Sequence, residues 1–397
     1  MKDPISVTLV VGAAPYQKTL AAKLNSVGML RQLIEVVPQL DIREPDGEGN
    51  LELVKSFSGF ALLKRVVWGM WRRFPKQVQP RPPMTMNAWL ADRLIANAIA
   101  ECRIFHSCTA ICLASLRVAK QRGAITLVES ASCHPQDWRK VELEESAHFG
   151  ARGRDESEGH SGRILRRMEQ EFVECDRIVV PSRIAQESFA EYGYSAKTVL
   201  VQTGVDAEFF SPGAADARAV ARETFRVCYV GRVEFAKGVG YLLEAWKRLG
   251  LQGAELLLVG EVKPQMQSFL KSYQNCGVRL AGVLPSSEVA RCYRESNLFV
   301  MPSLNEGLAQ VLLEAMASGL PAVATDRTGA NDCIAHGNEG LIVPARDAGA
   351  LASAIQWCYE HREESVAMGK AARARIEREF TLEHYNARVI QMYRGLV

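Results

Sequence analysis

Several features are missing from this 397-residue chain, and each absence argues against a class of protein. No uncharged apolar run reaches the roughly 18 residues that a membrane span needs. The N-terminal stretch MKDPISVTLVVGAAP is apolar only briefly, holds Pro4 and Gly12, and leads into polar sequence, so it reads as a first core strand rather than a signal peptide. The ten cysteines are scattered singly with no Cys-x-x-Cys pair, the usage expected of small buried side chains in a reducing compartment rather than of a disulfide framework or metal site. No strand leads into Gly-x-Gly-x-x-Gly, and no Gly-x4-Gly-Lys-Ser/Thr phosphate loop occurs, which argues against a plain dinucleotide binder or a phosphate-loop nucleotidase. The net charge of +3 is too small to suggest a nucleic-acid partner.

What is present is ordinary soluble composition, 48% apolar and 23% charged, with length enough for two buried cores. Short runs rich in Val, Ile and Leu recur, each followed by a longer amphipathic stretch. In the first half they are 6–11, 32–37, 103–108, 124–129, 177–182 and 197–202; in the second, 225–231, 254–260, 278–282, 298–303, 321–326 and 341–345. Continuous apolar strands alternating with helices predict parallel sheets covered on both faces, an α/β architecture given twice. The Pro/Gly/Ala stretch 211–220 separates the halves and predicts an N-terminal Rossmann-like domain over 1–212 and a second domain over 213–381. The last segment, 382–397, carries an apolar helical stripe and is expected to cross back onto the first domain.

Two stretches break the alternation. Residues 151–163 are polar and aperiodic and read as a loop. Residues 53–90 hold seven basic side chains and no acidic one, with Phe60, Leu63, Val67, Trp71 and Phe74 at helical spacing. Two readings stand side by side: a basic amphipathic helix on an anionic membrane surface, or a helix packed on the sheet with a solvated basic face.

Two side-by-side sheets of this kind form a cleft at the carboxyl ends of their strands, where open α/β folds bind ligands. Two cations, Arg232 and Lys237, follow a strand ending at Gly231 and would face that cleft, suited to a diphosphate. A second block, SLNEGLAQVLLEAMASGLP, places Glu306 just before a helix and Glu314 inside it. The N–H groups around Gly307, Leu308 and Ala309 would aim the positive end of that helix at whatever lies between the two carboxylates.

The combination of GR-x4-KG (231–238), the strand-loop GVLP (282–285) and E-x7-E opening a helix resembles the family-4 retaining glycosyltransferases of the GT-B fold. The likeness continues through TGANDCIAHGNEGLIVPARD (328–347) and covers essentially all of 225–380, with weaker agreement in the first half. The resemblance implies that Arg232 and Lys237 hold the diphosphate of a nucleotide-sugar donor. Glu306 would accept hydroxyls of the transferred sugar, helped by the backbone of Gly307 and Leu308. Glu314 would grip the ribose, and the backbone near Val283 and Leu284 would meet the base. It implies a catalytic histidine at His134, whereas His106 reads as a satisfied core residue. It also implies transfer with retention and no cofactor or metal; the chain holds no Asp-x-Asp.

The acceptor, whether a saccharide, a lipid-linked sugar or a small molecule, is not implied. The family often carries a Gly-Gly pair in the first strand-to-helix loop, and here that loop has the single Gly12 followed by two alanines and Pro15. Rival readings are a sugar-nucleotide epimerase, an inverting transferase, or a noncatalytic nucleotide-sugar-binding paralogue. A cytoplasmic enzyme, with the inner membrane face as a candidate surface, is the expected setting.

Overall fold

The computed structural model of the chain describes residues 5–12, 15–35, 54–56, 84–150, 162–213 and 224–397. Most of the basic stretch 53–90, the loop over 151–161 and the linker from 214 to 223 lie outside the described residues.

Seven strands form the first sheet: β1 (Val7–Val11), β2 (Leu30–Glu35), β3 (Val54–Ser56), β4 (Ile104–Cys108), β5 (Ile125–Glu129), β6 (Arg177–Val180) and β7 (Thr198–Leu200). Six form the second: β8 (Phe225–Val230), β9 (Ala254–Val259), β10 (Val278–Gly282), β11 (Leu298–Met301), β12 (Ala322–Thr325) and β13 (Gly340–Val343). The orders are β3-β2-β1-β4-β5-β6-β7 and β10-β9-β8-β11-β12-β13, and every pairing is parallel. The second order repeats the first six positions of the first, so each sheet reverses direction once, beside its opening strand. The twelve apolar runs seen in the sequence each overlap a strand. The short β3 was not among them, because its three residues sit at the edge of the basic stretch and are too few to form an apolar run.

Period-two alternation sorts the strand side chains onto two faces. Phe225, Val227 and Tyr229 of β8 join Leu298 and Val300 of β11 in one core, while Cys228, Val230, Phe299 and Met301 join the other. The first sheet is likewise covered twice. Val10, Phe105, Val128 and Ile178 pack with helices Leu113–Gln121 and Gly162–Glu174, whereas Val7, Leu9, Ile104 and Leu127 pack with helix Pro15–Ser26.

The chain changes sides at residues 380–381. Helix Arg362–Glu379 buries Ala372 and Ile376 in the second domain's core, followed by Phe380. Thr381 then bridges to Val205, and helix Leu382–Leu396 lays Tyr385, Val389, Ile390 and Tyr393 against the first sheet. The Tyr393 hydroxyl lies 2.6 Å from Nδ1 of His106, which is fully buried at the centre of β4. Burial pushes the His106 pKa down to about 4, keeping the ring neutral.

Tyr393→Ala would remove a fully buried ring and strand the His106 nitrogen, a loss of about 3–5 kcal/mol for a large aromatic. Tyr393→Phe keeps the packing and should cost about 1–2 kcal/mol. Urea denaturation followed by far-UV circular dichroism should show the Ala variant's midpoint falling well below that of the Phe variant.

Candidate active site

The site forms where the loops after β8 and β11 meet, beside the reversal in the second sheet. β8 ends at Val230, Gly231 makes the turn, and the Tyr229 hydroxyl donates to the Arg232 carbonyl at 2.7 Å. The Arg232 guanidinium lies 3.1 Å from Glu234 and over the ring of Trp138, 5.5 Å from its centroid. Glu234 is almost fully buried; burial raises its pKa, while Arg232, Lys237 and Lys263 act against that rise. A single 3-10 turn, Phe235–Lys237, then presents Lys237. It closes through Gly238, whose φ of 68° is left-handed and whose added Cβ would stand 1.8 Å from the Pro302 carbonyl oxygen. The glycine of the KG pair is thus set by the close approach of the β8 loop to the end of β11.

From β11 the chain runs through Ser303 to Glu306. The Glu306 carboxylate takes the Lys237 ammonium at 2.5 Å and the Ser303 hydroxyl at 3.0 Å, both on Oε1. The Glu306 N–H donates to the Arg327 carbonyl at 2.8 Å, which fixes the loop against the end of β12. The helix that follows is Gln310–Ala317, with Ala309 as its cap. Of the three backbone N–H groups expected to be free, that of Ala309 is occupied by the Thr328 carbonyl at 3.2 Å. Those of Gly307 and Leu308 have no partner among the described residues.

Glu314 sits one turn into this helix, about 6 Å along the axis from Gln310. Its carboxylate accepts from the Tyr293 hydroxyl at 3.2 Å, and burial pushes its pKa up to about 7. A half-buried carboxylate with so little hydrogen bonding is suited to accept ligand hydroxyls. Beyond β10, the side chain of Val283 is 76% exposed, an apolar surface at the edge of the site, and Leu284 packs on the core beside it.

The first domain reaches this site through two loops. Cys133 Sγ contacts the Glu306 carbonyl at 3.2 Å, and the Ser182 hydroxyl donates to the Gly307 carbonyl at 2.5 Å.

His134 is not brought into the cluster. Its ring is fully buried, stacked on Tyr192 at 3.9 Å, and its Nδ1 caps helix Pro135–His148 by accepting from the Gln136 N–H. Nε2 lies 3.3 Å from Glu169. Burial lowers its pKa although Glu169 and Asp137 pull the other way. The His134 ring is thus held by the first domain's own aromatic packing and by its cap on the helix, while Nε2 has no hydrogen-bond partner among the described residues. Gly12 is similarly occupied, its N–H donating to Gln17 Oε1 at 2.9 Å, with Gln17 in turn bound to the buried Glu129 at 3.0 Å. A separate polar cavity of about 430 Å³ lies between helices Pro135–His148 and Arg183–Glu191 and the loops after β11, β12 and β13; none of Arg232, Lys237, Glu306 and Glu314 lines it.

Three contributors went unread in the sequence. Glu234 stands inside the GR-x4-KG motif, and its position between two cations was the available signal. Ser303 ends a strand already identified. Trp138 belongs to the other domain, and no spacing within the chain connects it with Arg232.

Two domains with the same strand order, meeting across a cleft at their carboxyl ends, define the GT-B architecture of glycosyltransferases. Consistent with that, the chain superposes on sucrose-phosphate synthase from Thermosynechococcus elongatus with a TM-score of 0.70 at 21% identity, covering 99% of each chain. It superposes on Anabaena Alr3699/HepE, solved in complex with UDP, with a TM-score of 0.66 at 14% identity over 98% of this chain and 100% of that one.

Residues 224–361 match the family model for glycosyl transferases group 1. Among relatives in sequence, the amylovoran biosynthesis glycosyltransferase AmsK of Erwinia amylovora is 30% identical over 53% of this chain, and the match spans about half, 54%, of AmsK. A GDP-mannose-dependent alpha-(1-6)-phosphatidylinositol monomannoside mannosyltransferase of Mycobacterium tuberculosis is 27% identical over 76% of this chain and 78% of its own length.

The raised Glu314 pKa has a direct thermodynamic consequence. Its carboxyl binds more protons folded than unfolded between its ordinary value of 4.5 and about 7, so the stability it contributes is full below that window and is lost as pH rises through it. Glu314→Gln removes the titrating group. Relative to wild type, the variant should be more stable at pH 8 than at pH 4.5 by on the order of 1–3 kcal/mol, read from denaturation at the two pH values. Equal differences at both would contradict the burial assigned to this side chain.

Proposed function

We propose that the protein is a retaining glycosyltransferase that takes a sugar from a nucleotide-diphosphate donor and passes it to an acceptor hydroxyl, in the synthesis of a glycan or glycoconjugate. The observation that carries the reading is the Lys237–Glu306 pair, set beside the two unpartnered N–H groups of Gly307 and Leu308, with Arg232 on the adjoining loop and Glu314 one turn into the helix. A donor entering there would find cations and N–H groups for its diphosphate, a carboxylate for its sugar hydroxyls and a second carboxylate for its ribose.

In this proposal the bond from the anomeric carbon to the diphosphate breaks as the acceptor oxygen bonds on the same face. The acceptor's proton passes to the departing phosphate oxygen, so no protein nucleophile is required. Arg232 and Lys237, rather than a metal ion, neutralise the charge that grows on the diphosphate. Lys237 must exchange part of its contact with Glu306 for the phosphate as the donor binds, which leaves Glu306 free to accept sugar hydroxyls. The exposed Val283 and the backbone beside Leu284 receive the base. With its ring enclosed, His134 acts in this scheme by holding the loop that touches Glu306.

The family match over 224–361 and the transferases among the relatives support this reading. The nucleotide, sugar and acceptor are open to direct test: the mannosyltransferase relative is named for GDP-mannose, and Alr3699/HepE was solved with UDP. We place the enzyme in the cytoplasm, with the basic stretch 53–90 as its contact to anionic lipid. No helix among the described residues is long and apolar enough to cross a membrane. Flotation with phosphatidylserine-containing vesicles tests that contact, and wild-type protein remaining at the bottom of the gradient would refute it.

A thermal-shift screen with UDP, GDP and ADP and their common sugars should show stabilisation by one nucleotide family, about 2.7 kcal/mol at a hundredfold excess over Kd. With the turnover assay so defined, Lys237→Ala should lower kcat by about a hundredfold or more with folding intact, as loss of a charge-stabilising donor does elsewhere. Activity within a few-fold of wild type would end the assignment, and product with inverted anomeric configuration by proton NMR would end the retaining mechanism.

A further inference from the structure

One helix of the opposite domain touches the Arg232 side chain directly and, through the residue that caps it, the turn that carries Lys237. Helix Pro135–His148 places Trp138 beneath the Arg232 guanidinium near its start. At its end, Phe149 stacks on Phe235 at 4.5 Å, nearly parallel, and meets Tyr241 and Phe269 edge-on at 5.2 and 5.3 Å. Phe235 opens the 3-10 turn whose last residue is Lys237.

The seat for Phe149 is made by Gly240, in the first turn of helix Val239–Leu249. A Cβ there would stand 2.5 Å from the phenyl ring, so only the absence of a side chain admits it. Between the two aromatic contacts, Glu145 is buried and fixed by two residues of the second domain: the Arg346 guanidinium at 2.7 Å and the Tyr241 hydroxyl at 2.9 Å. Its neighbour Glu144 takes the other arm of Arg346 at 2.7 Å.

We infer that this helix is an interdomain latch in which Trp138 and Phe149 position Arg232 and Lys237 for the donor diphosphate. The role given to the two cations rests on the transferase reading, whereas the latch itself rests on the contacts alone. A cation whose loop is propped from across the cleft holds its place only while the domains are together. The site is therefore complete in the docked arrangement and loses both supports at once when the helix lifts. Buried contacts of this kind favour a single docked geometry, with Glu145 desolvated against Arg346 and Tyr241 and the Phe149 ring packed on Phe235, Tyr241 and Phe269.

The test uses full-length protein labelled with 5-fluorotryptophan, in which the Trp138 fluorine resonance is identified by its absence in Trp138→Phe. Without nucleotide, Phe149→Ala should shift or broaden that resonance although residue 149 lies three helical turns away, and Phe149→Leu should largely restore it. By calorimetry, UDP or GDP, whichever binds the wild type, should bind Phe149→Ala about tenfold more weakly, with Phe149→Leu recovering most of the loss.

An unchanged Trp138 resonance overturns the latch. A changed resonance with undiminished nucleotide affinity overturns the positioning role. If wild type binds neither nucleotide, the transferase reading has failed, and the latch is decided by the resonance alone. Should Phe149→Ala not fold, Glu145→Gln, which keeps the shape but weakens the hold on Arg346, replaces it with the same readouts.

Discussion

The contact between the Lys237 ammonium and the Glu306 carboxylate depends on the arrangement of strands beneath it. β8 and β11 are neighbours only because the second sheet runs outward from β8 in both directions, so their loops start side by side although some seventy residues separate them in sequence. Gly238 lets the first loop lie on Pro302 of the second, and Ser303 and Arg327 hold the carboxylate in line. Altering any of these alters the distance between two opposite charges in a half-enclosed space, where a small displacement has a large electrostatic effect. The charge pair is also what any anion bound at this ammonium would have to reorganise.

Much of this arrangement was legible in the residues. The strands announced themselves as short apolar runs because sheets covered on both faces need apolar side chains on both, and the crossing helix 382–396 showed its stripe for the same reason. Arg232, Lys237, Glu306 and Glu314 could be read together because they lie at fixed spacings around two strand ends. What stayed hidden involves partners that are distant in the chain. Nothing at position 138 or 149 points to residues 232 or 235, and nothing at His134 tells a cleft-facing imidazole from one that caps a helix under Tyr192. The helix begins at 310, past the glutamate-glycine turn, because that turn is held by backbone partners on the β12 loop rather than by its own helix. β3 escaped notice because three residues are too few to show a period.

The two domains contribute unequally. The second supplies nearly every charged group of the site, and its short, buried strands leave little freedom in where those groups stand. The first supplies supports: a thiol and a hydroxyl against the Glu306–Gly307 backbone, an indole under Arg232, and a phenyl ring beside the Lys237 turn. Its interior polar side chains pair with one another, Gln17 with Glu129 and His106 with Tyr393. Chemistry and its scaffolding are thus divided between two pieces of chain that could vary separately.

The return of helix Leu382–Leu396 to the first sheet sets the order in which the protein can be finished. During synthesis the strands of the first sheet leave the ribosome early, yet Val7, Leu9 and Leu20 do not acquire their cover from Tyr385, Val389 and Tyr393 until nearly four hundred residues have been made. The second domain, whose core is drawn from one continuous stretch apart from the short segment 205–210, can close before that. The half made first is therefore completed last, and the part of its apolar face that helix Pro15–Ser26 does not cover stays open until the final helix arrives.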